Sequence, residues 1–457
     1  MRPLLPLGLL SGAALASVVL AAAAPASSPG QIVGMRRLTE SQYRQSIADI
    51  FSPSIKLVGR FEPEVRRDGL NAVGSGEASI SSGGMEQYYA MASSIADQVT
   101  GPELRRTTIS CTPANAKAAD HACATSVLGH YGRLLFRRPL TAAELKASVA
   151  TADKVAAQTK DFYAGIDESL GAMLSSPYFL FRVEKAGGPA AGGLVKVDDY
   201  TKAARLSFLL WNAPPDDALL TAAQKGELST KEGLQRQADR LTASPRLADG
   251  VAAFFDDMLQ MDKFATQTKD SQRFPKYSQV LADDARQQTL KTIVDLLVTK
   301  NGDYRDIFTT RDTFMTRTLA LVYKVPYLSK DRWAPYRFDE GSGRAGVLTQ
   351  ISFLSLFSHP AESSPTKRGV ALNEIFLCQP TPPPPPNVDF SAVNPEGPNK
   401  AKTVRLRLQA HVTNPACAGC HTLVDPPGVA LERFDTLGQY REYEEGQLID
   451  VHSQIGG

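Results

Sequence analysis

Apolar and polar residues along the chain follow a helical period far more often than a strand period. Thr39-Glu40-Ser41-Gln42 reads as a capping box: the Thr39 hydroxyl takes the Gln42 backbone N–H and the Gln42 side chain reaches back. Leu38 and Tyr43 flank it as a hydrophobic staple, and Leu140-Thr141-Ala142-Ala143-Glu144-Leu145 repeats the arrangement. Ser229 with Glu232 marks a third helix start, followed by Leu234, Ala238 and Leu241 on one helical face. A further helix over residues 280–299 puts Ile293, Leu296 and Leu297 together. Alternating β-branched runs are short, Gly193 to Val197 being one. The pattern predicts a mainly α protein built of several helical modules packed in tandem.

Breaks in the pattern divide the chain. Residues 186–195 form a Gly/Ala/Pro joint, 212–217 punctuate two helices, and 326–346 read as loop. Residues 380–387 are mostly proline, which lacks the N–H donor of helix or inner strand, so a polyproline II spacer over the surface is expected. The expected units are N-terminal helical modules over 36–185, a central module over 195–325, and a C-terminal module over 340–445. No repeat of 20–50 residues is apparent.

Residues 1–26 set the compartment. Arg2 precedes an apolar Leu/Val/Ala/Gly run that ends at Ala24-Pro25-Ala26, a secretory signal with a cut after Ala26. An uncleaved anchor is the rival, because the run approaches the roughly 20 residues of a span. After cleavage no transmembrane span is expected, and the protein is expected to be periplasmic or secreted, where thiols oxidise.

Composition narrows the classes. Over 457 residues, Lys+Arg is 50 and Asp+Glu 48, a formal charge of +2, which argues against a nucleic-acid coat. A hydrophobic share of 43% and a charged share of 21% are those of a globular protein. Five cysteines are too few for a disulfide scaffold.

Two of those cysteines carry the candidate chemistry. Cys417-Ala418-Gly419-Cys420-His421 matches C-x-x-C-H, the attachment signature of haem c. Two thiols three residues apart can each add to a haem vinyl group, and His421 is then the proximal iron ligand. Gly419 avoids crowding the ring. Random placement of five Cys and six His would give roughly 0.0007 such motifs. Zinc on Cys417, Cys420, His421 and His411 is one alternative, disfavoured because adjacent Cys420 and His421 do not easily face one tetrahedral ion. A plain disulfide is the other.

The second axial ligand is open. No Met follows His421, so a ligand must be His452, come from earlier sequence, or be absent. His411 ranks first and His359 second. His121 and His130 are assigned to local structure. Cys111 and Cys123 are expected to close a polar loop by a disulfide, leaving Cys378, in an apolar run, as a buried inert thiol. Asp256 and Asp257 are expected to be solvated or salt-bridged. Asp425, Glu432 and Asp435 are expected to hold Arg433 or Arg441, with calcium as the alternative.

Several stretches resemble a known family. Arg37-Leu38-Thr39 with Tyr43, Arg137-Arg138-Pro139-Leu140-Thr141, Leu174 to Glu184, Leu206 to Trp211 with Pro215-Asp216-Asp217, and Ser364 to Gly369 with His411 to Arg441 occur in order. Together they resemble the secreted multidomain planctomycete cytochrome c-like group, whose modules are named as domains of unknown function. The resemblance implies a C-terminal cytochrome c-like helical module with one covalent haem c, held by Cys417, Cys420 and His421. His411 falls on a histidine of the family pattern, which raises it as a metal ligand. Members usually continue into a further short module, which residues 446–457 would begin.

The expected function is an exported c-type haem protein passing electrons to an unidentified redox partner. The alternatives are a haem oxidase or peroxidase acting on an extracellular polymer, and a surface-binding protein with structural haem or metal.

Overall fold

The structure is a computed structural model, and it describes residues 28–188, 194–382, 401–413 and 415–454. The signal segment and most of the proline run lie outside the described residues. The fold is mainly α, as the periodicity predicts.

The first unit begins with strand β1 (Ile32–Arg37) and closes with β2 (Phe181–Lys185), paired antiparallel with Met35 opposite Val183. Between them run α1 (Glu40–Ile50), α2 (Ser82–Thr100), α3 (His121–Leu135), α4 (Ala142–Thr159) and α5 (Phe162–Leu174). Both expected capping boxes form, Thr39 with Gln42 and Thr141 with Glu144. Tyr43, Met91, Ile95, Leu128, Ile166 and Leu170 share one core. Arg137 is buried among them, at φ 56°, and donates to the carbonyls of Tyr178 (2.7 Å) and Phe181 (2.6 Å). That clamp explains the Arg137-Arg138-Pro139 stretch: Arg137 closes the sheet end, and Arg138 holds Glu144 at 2.7 Å. A disulfide joins Cys111 to Cys123 at the start of α3.

A small second core follows, from α6 (Asp199–Leu210), α7 (Asp217–Gln224) and α8 (Lys231–Thr242). The cap of α8 is Thr230, one residue later than expected. Its hydroxyl takes the Gly233 N–H, while Ser229 ends a tight turn and donates to Asp199. Trp211 anchors this core by donating Nε1–H to the Leu241 carbonyl at 2.9 Å.

The third core is built by α9 (Leu247–Met258), α10 (Gln279–Val294), β3 (Asp312–Met315), β4 (Ala334–Arg337) and α11 (Ile351–Leu356). β3 and β4 pair antiparallel, so part of the 326–346 segment expected as loop is a strand. Pro335 is tolerated there because a two-stranded ribbon leaves an outer edge unpaired. One apolar cluster takes in described residues from Phe255 to Leu437, so the C-terminal segment shares its core with the segment before it. Asp256 pairs with Arg286 at 2.5 Å, and Asp257 pairs with Arg66 at 2.8 Å, tying the third core to the first unit. Helices α12 (Pro365–Ala371), α13 (Val404–Thr413) and α14 (Pro415–Val429) follow, and then a short antiparallel hairpin pairs Tyr443 with Leu448. Among the described residues, no helix is long and apolar enough to cross a membrane.

Candidate functional site

Helix α14 carries the cysteine–histidine signature and is held by close backbone contact. A Cβ at Gly369 of α12 would lie 1.6 Å from the Val424 carbonyl oxygen. One at Gly428 would lie 1.8 Å from the Pro365 oxygen. The two helices therefore touch backbone to backbone at both ends of their contact. Pro426 and Pro427 lie inside α14 and cannot donate to the preceding turn. Asn373 supplies part of the deficit, donating Nδ2–H to the Leu423 carbonyl at 3.3 Å.

Cys417 is buried and Cys420 half-buried, and both are free thiols. A spacing of three places them on neighbouring turns of one helix face. Gly419 between them meets no atom within 4 Å of a built Cβ, so the helix surface there is open. Cys420 lines a cavity of about 620 Å³ with Leu377, Pro380 and Pro427. His421 lines a second cavity, of about 590 Å³, with Arg405, Leu408 and Val412 of α13. Thr422, Pro426 and Gln454 belong to both, so the two cavities adjoin along α14. Each falls within the roughly 300–1,000 Å³ of small-molecule and cofactor sites.

The His421 ring is oriented by a carboxylate. Its Nδ1 lies 2.9 Å from Asp425 Oδ2, one helical turn on. Asp425 is buried, and its other oxygen accepts the Thr366 hydroxyl at 2.7 Å. A Thr–Asp–His chain thus runs from α12 into α14. Such an outer partner fixes the ring and raises the basicity of a ligating histidine.

Beneath the signature helix lies a buried ionic hub. Arg368 is fully buried and donates to the carbonyls of Leu431 (3.0 Å), Phe434 (2.8 Å) and Asp435 (2.6 Å). Glu432 is buried beside it at 3.4 Å and also takes Ser363 (2.8 Å) and Arg441 (3.3 Å). Burial pulls the Arg368 guanidinium below its ordinary range and pushes the Glu432 carboxyl up. The hub pins the turn after α14 to the helix that packs against it.

The expected partners of the three nearby carboxylates are corrected in part. Glu432 holds Arg441 as expected, but Asp425 faces His421, and Asp435 accepts the N–H groups of Leu437 (2.9 Å) and Gln439 (2.8 Å). Asp425 lies one turn from His421 on the same face, so the imidazole reaches it first. Asp435 turns back into its own loop.

The remaining candidates are dispersed. His411 lies within α13, and its side chain is outside the described residues. His359 lines neither cavity; its Nδ1 is 3.2 Å from Lys367 Nζ. His452 lines the second cavity with His421. His121 pairs with Asp153, in keeping with a local role. Cys378 is exposed, not buried as expected. The apolar run before it ends in a wide helical turn, and Cys378 adopts a left-handed φ of 54° that carries it off the helix. Among the described residues, no three His, Cys, Asp or Glu side chains group as an ion site. Thr366 and Arg405 are site residues the motif did not point to.

Comparison with known proteins gives four matches in chain order. They are PSD3 over residues 36–101 (DUF1587), PSD5 over 123–184 (DUF1595), PSD4 over 197–325 (DUF1592) and PSCyt3 over 344–444 (DUF1588). Each is described as a protein of unknown function. No curated protein and no solved structure matches. The chain therefore carries four tandem PSD and PSCyt modules between residues 36 and 444, with the cysteine–histidine signature inside the last.

Proposed function

We propose that the protein is an exported carrier of one covalent haem c, held by Cys417, Cys420 and His421, that transfers single electrons to a redox partner. The observation that carries this is the pair of free thiols on neighbouring turns of one face of α14, followed by a histidine whose ring a buried carboxylate orients. The site fits the group on three counts. The thiols are not joined to each other, the helix surface over Gly419 is open, and cavities adjoin α14 at Cys420 and His421. The name PSCyt3, borne by the matching module, agrees with a cytochrome-like role. Export rests on the leader-like residues 1–26, and it suits the chemistry, since haem c is attached outside the cytoplasm.

Each residue has a defined task. The Cys417 and Cys420 thiols would hold the haem by adding across its vinyl groups, sulfur to one carbon and hydrogen to the other. His421 would hold the iron, with Asp425 orienting its ring at Nδ1. Leu408, Val412 and Val429 line the cavity with apolar surface against which the haem ring would pack. Bound there, the haem would supply a one-electron iron couple whose potential follows ligand identity, hydrogen bonding and burial.

The test is expression of the full chain with a cytochrome maturation system, followed by denaturing electrophoresis and haem staining. The stain should travel with the polypeptide and vanish in Cys417→Ala/Cys420→Ala. A wild-type band that is folded, exported and unstained would sink the proposal.

A further inference from the structure

We infer that His452 would be a second protein ligand of the haem iron, beside His421. The inference rests on the haem assignment above and adds a residue that no part of the signature contains.

His452 and His421 line the same cavity, of about 590 Å³, although 31 positions separate them in sequence. Each ring has a carboxylate at Nδ1, the pair at His421 largely buried and the pair at His452 exposed. His421 has Nδ1 at 2.9 Å from Asp425, and His452 has Nδ1 at 2.9 Å from Asp450. Asp450 also accepts the His452 backbone N–H at 2.9 Å, so one carboxylate fixes both the ring and the main chain. A carboxylate on one imidazole nitrogen selects the tautomer that presents the other nitrogen to a metal. The His452 ring is otherwise free of packing and open to solvent at the edge of the cavity it lines with His421.

The segment carrying His452 is anchored on both walls of the cavity. Arg405 of α13 bonds the His452 carbonyl and pairs with Asp450 at 3.3 Å. Ser453 donates to the Pro426 carbonyl of α14. Just before them, Ile449 is buried and its N–H bonds the Glu442 carbonyl at 2.9 Å. These ties limit the loss of chain freedom that a ligand on a free tail would incur on binding.

Competing donors are less suited. His359 faces Lys367 and lines neither cavity. Among the described residues of the cavity, the other polar side chains are Arg405, Gln409, Thr422, Asp425, Ser453 and Gln454, none a thioether or imidazole. His411 is the remaining alternative and is included in the test.

The experiment compares wild type, His452→Ala, His411→Ala and His452→Met in the full chain carrying covalent haem, by visible and electron paramagnetic resonance spectra and carbon monoxide binding. The wild type should be low-spin and should not bind carbon monoxide readily once reduced. His452→Ala should become high-spin and bind it, and His411→Ala should keep the wild-type spectrum. His452→Met, which retains a ligand, should stay low-spin with a higher midpoint potential. A high-spin wild type, an unchanged His452→Ala spectrum, or the spin change appearing in His411→Ala would each overturn the inference. Loss of haem staining in the wild type would instead overturn the haem assignment, and it is read on the gel before any spectrum.

Discussion

At the scale of single residues, the site depends on which carboxylates meet which bases. Asp425 reaches His421 rather than an arginine, so removing its charge should act on the proposed haem and not on folding. Asp425→Asn should keep the covalent haem while raising the midpoint potential, because a less basic proximal histidine stabilises the oxidised iron less. Redox titration checks the sign; an unchanged potential would remove Asp425 from that role. Arg368 is the opposite case. Arg368→Met leaves several buried carbonyls without a donor and Glu432 without one of its two arginines, and should cost about 3–5 kcal/mol in denaturant unfolding. Glu144 sets a pH dependence. Its hydrogen bonds to Arg138, then to the α4 cap, hold its pKa down to about 2 from 4.5. A depressed carboxyl contributes stability that is fully present above its unfolded pKa and is lost as pH falls through the folded one. Glu144→Gln should therefore flatten the loss of stability between about pH 4.5 and 2, measured by unfolding at stepped pH.

At the scale of elements, the helix starts were legible because a cap is a local device. Thr39, Thr141 and their glutamine or glutamate partners act within four residues, and the structure places both boxes as read. The third start slipped from Ser229 to Thr230 because two neighbouring hydroxyls can each cap, and packing against Asp199 chose between them. The contact between α12 and α14 could not be read locally, since Gly369 and Gly428 show their purpose only against another backbone. It makes a paired prediction. Gly428→Ala should destabilise the apo protein by about 1–3 kcal/mol through overpacking, whereas Gly419→Ala, facing open space, should leave apo stability nearly unchanged. Cys378 shows the same limit from the other side. An apolar run suggested burial, but a left-handed residue at the helix end turned the thiol outward.

At the scale of the whole molecule, four tandem modules do not mean four independent cores. Ile351, Phe353 and Leu437 of the last module pack with Leu281, Ala285 and Ile293 of the one before. A fragment of residues 344–444 should therefore fail to unfold cooperatively, while one beginning near residue 244 should do so, as circular dichroism in denaturant would show. The composition breaks marked where the chain turns, not where the core divides, which is why a boundary visible in sequence is absent from the packing. Two further cores precede the third, and the first of them is tied to it through Arg66 and Asp257.

The central claim is that Cys417 and Cys420 bind haem by thioether bonds. The most direct measurement is the pyridine haemochrome spectrum of the purified, acid–acetone-extracted full chain matured in a host that attaches haem c. A c-type α band that stays with the polypeptide, at one haem per chain, is the predicted result. Haem that extracts into the solvent and gives a b-type band, or no band at all from a folded protein, would contradict it.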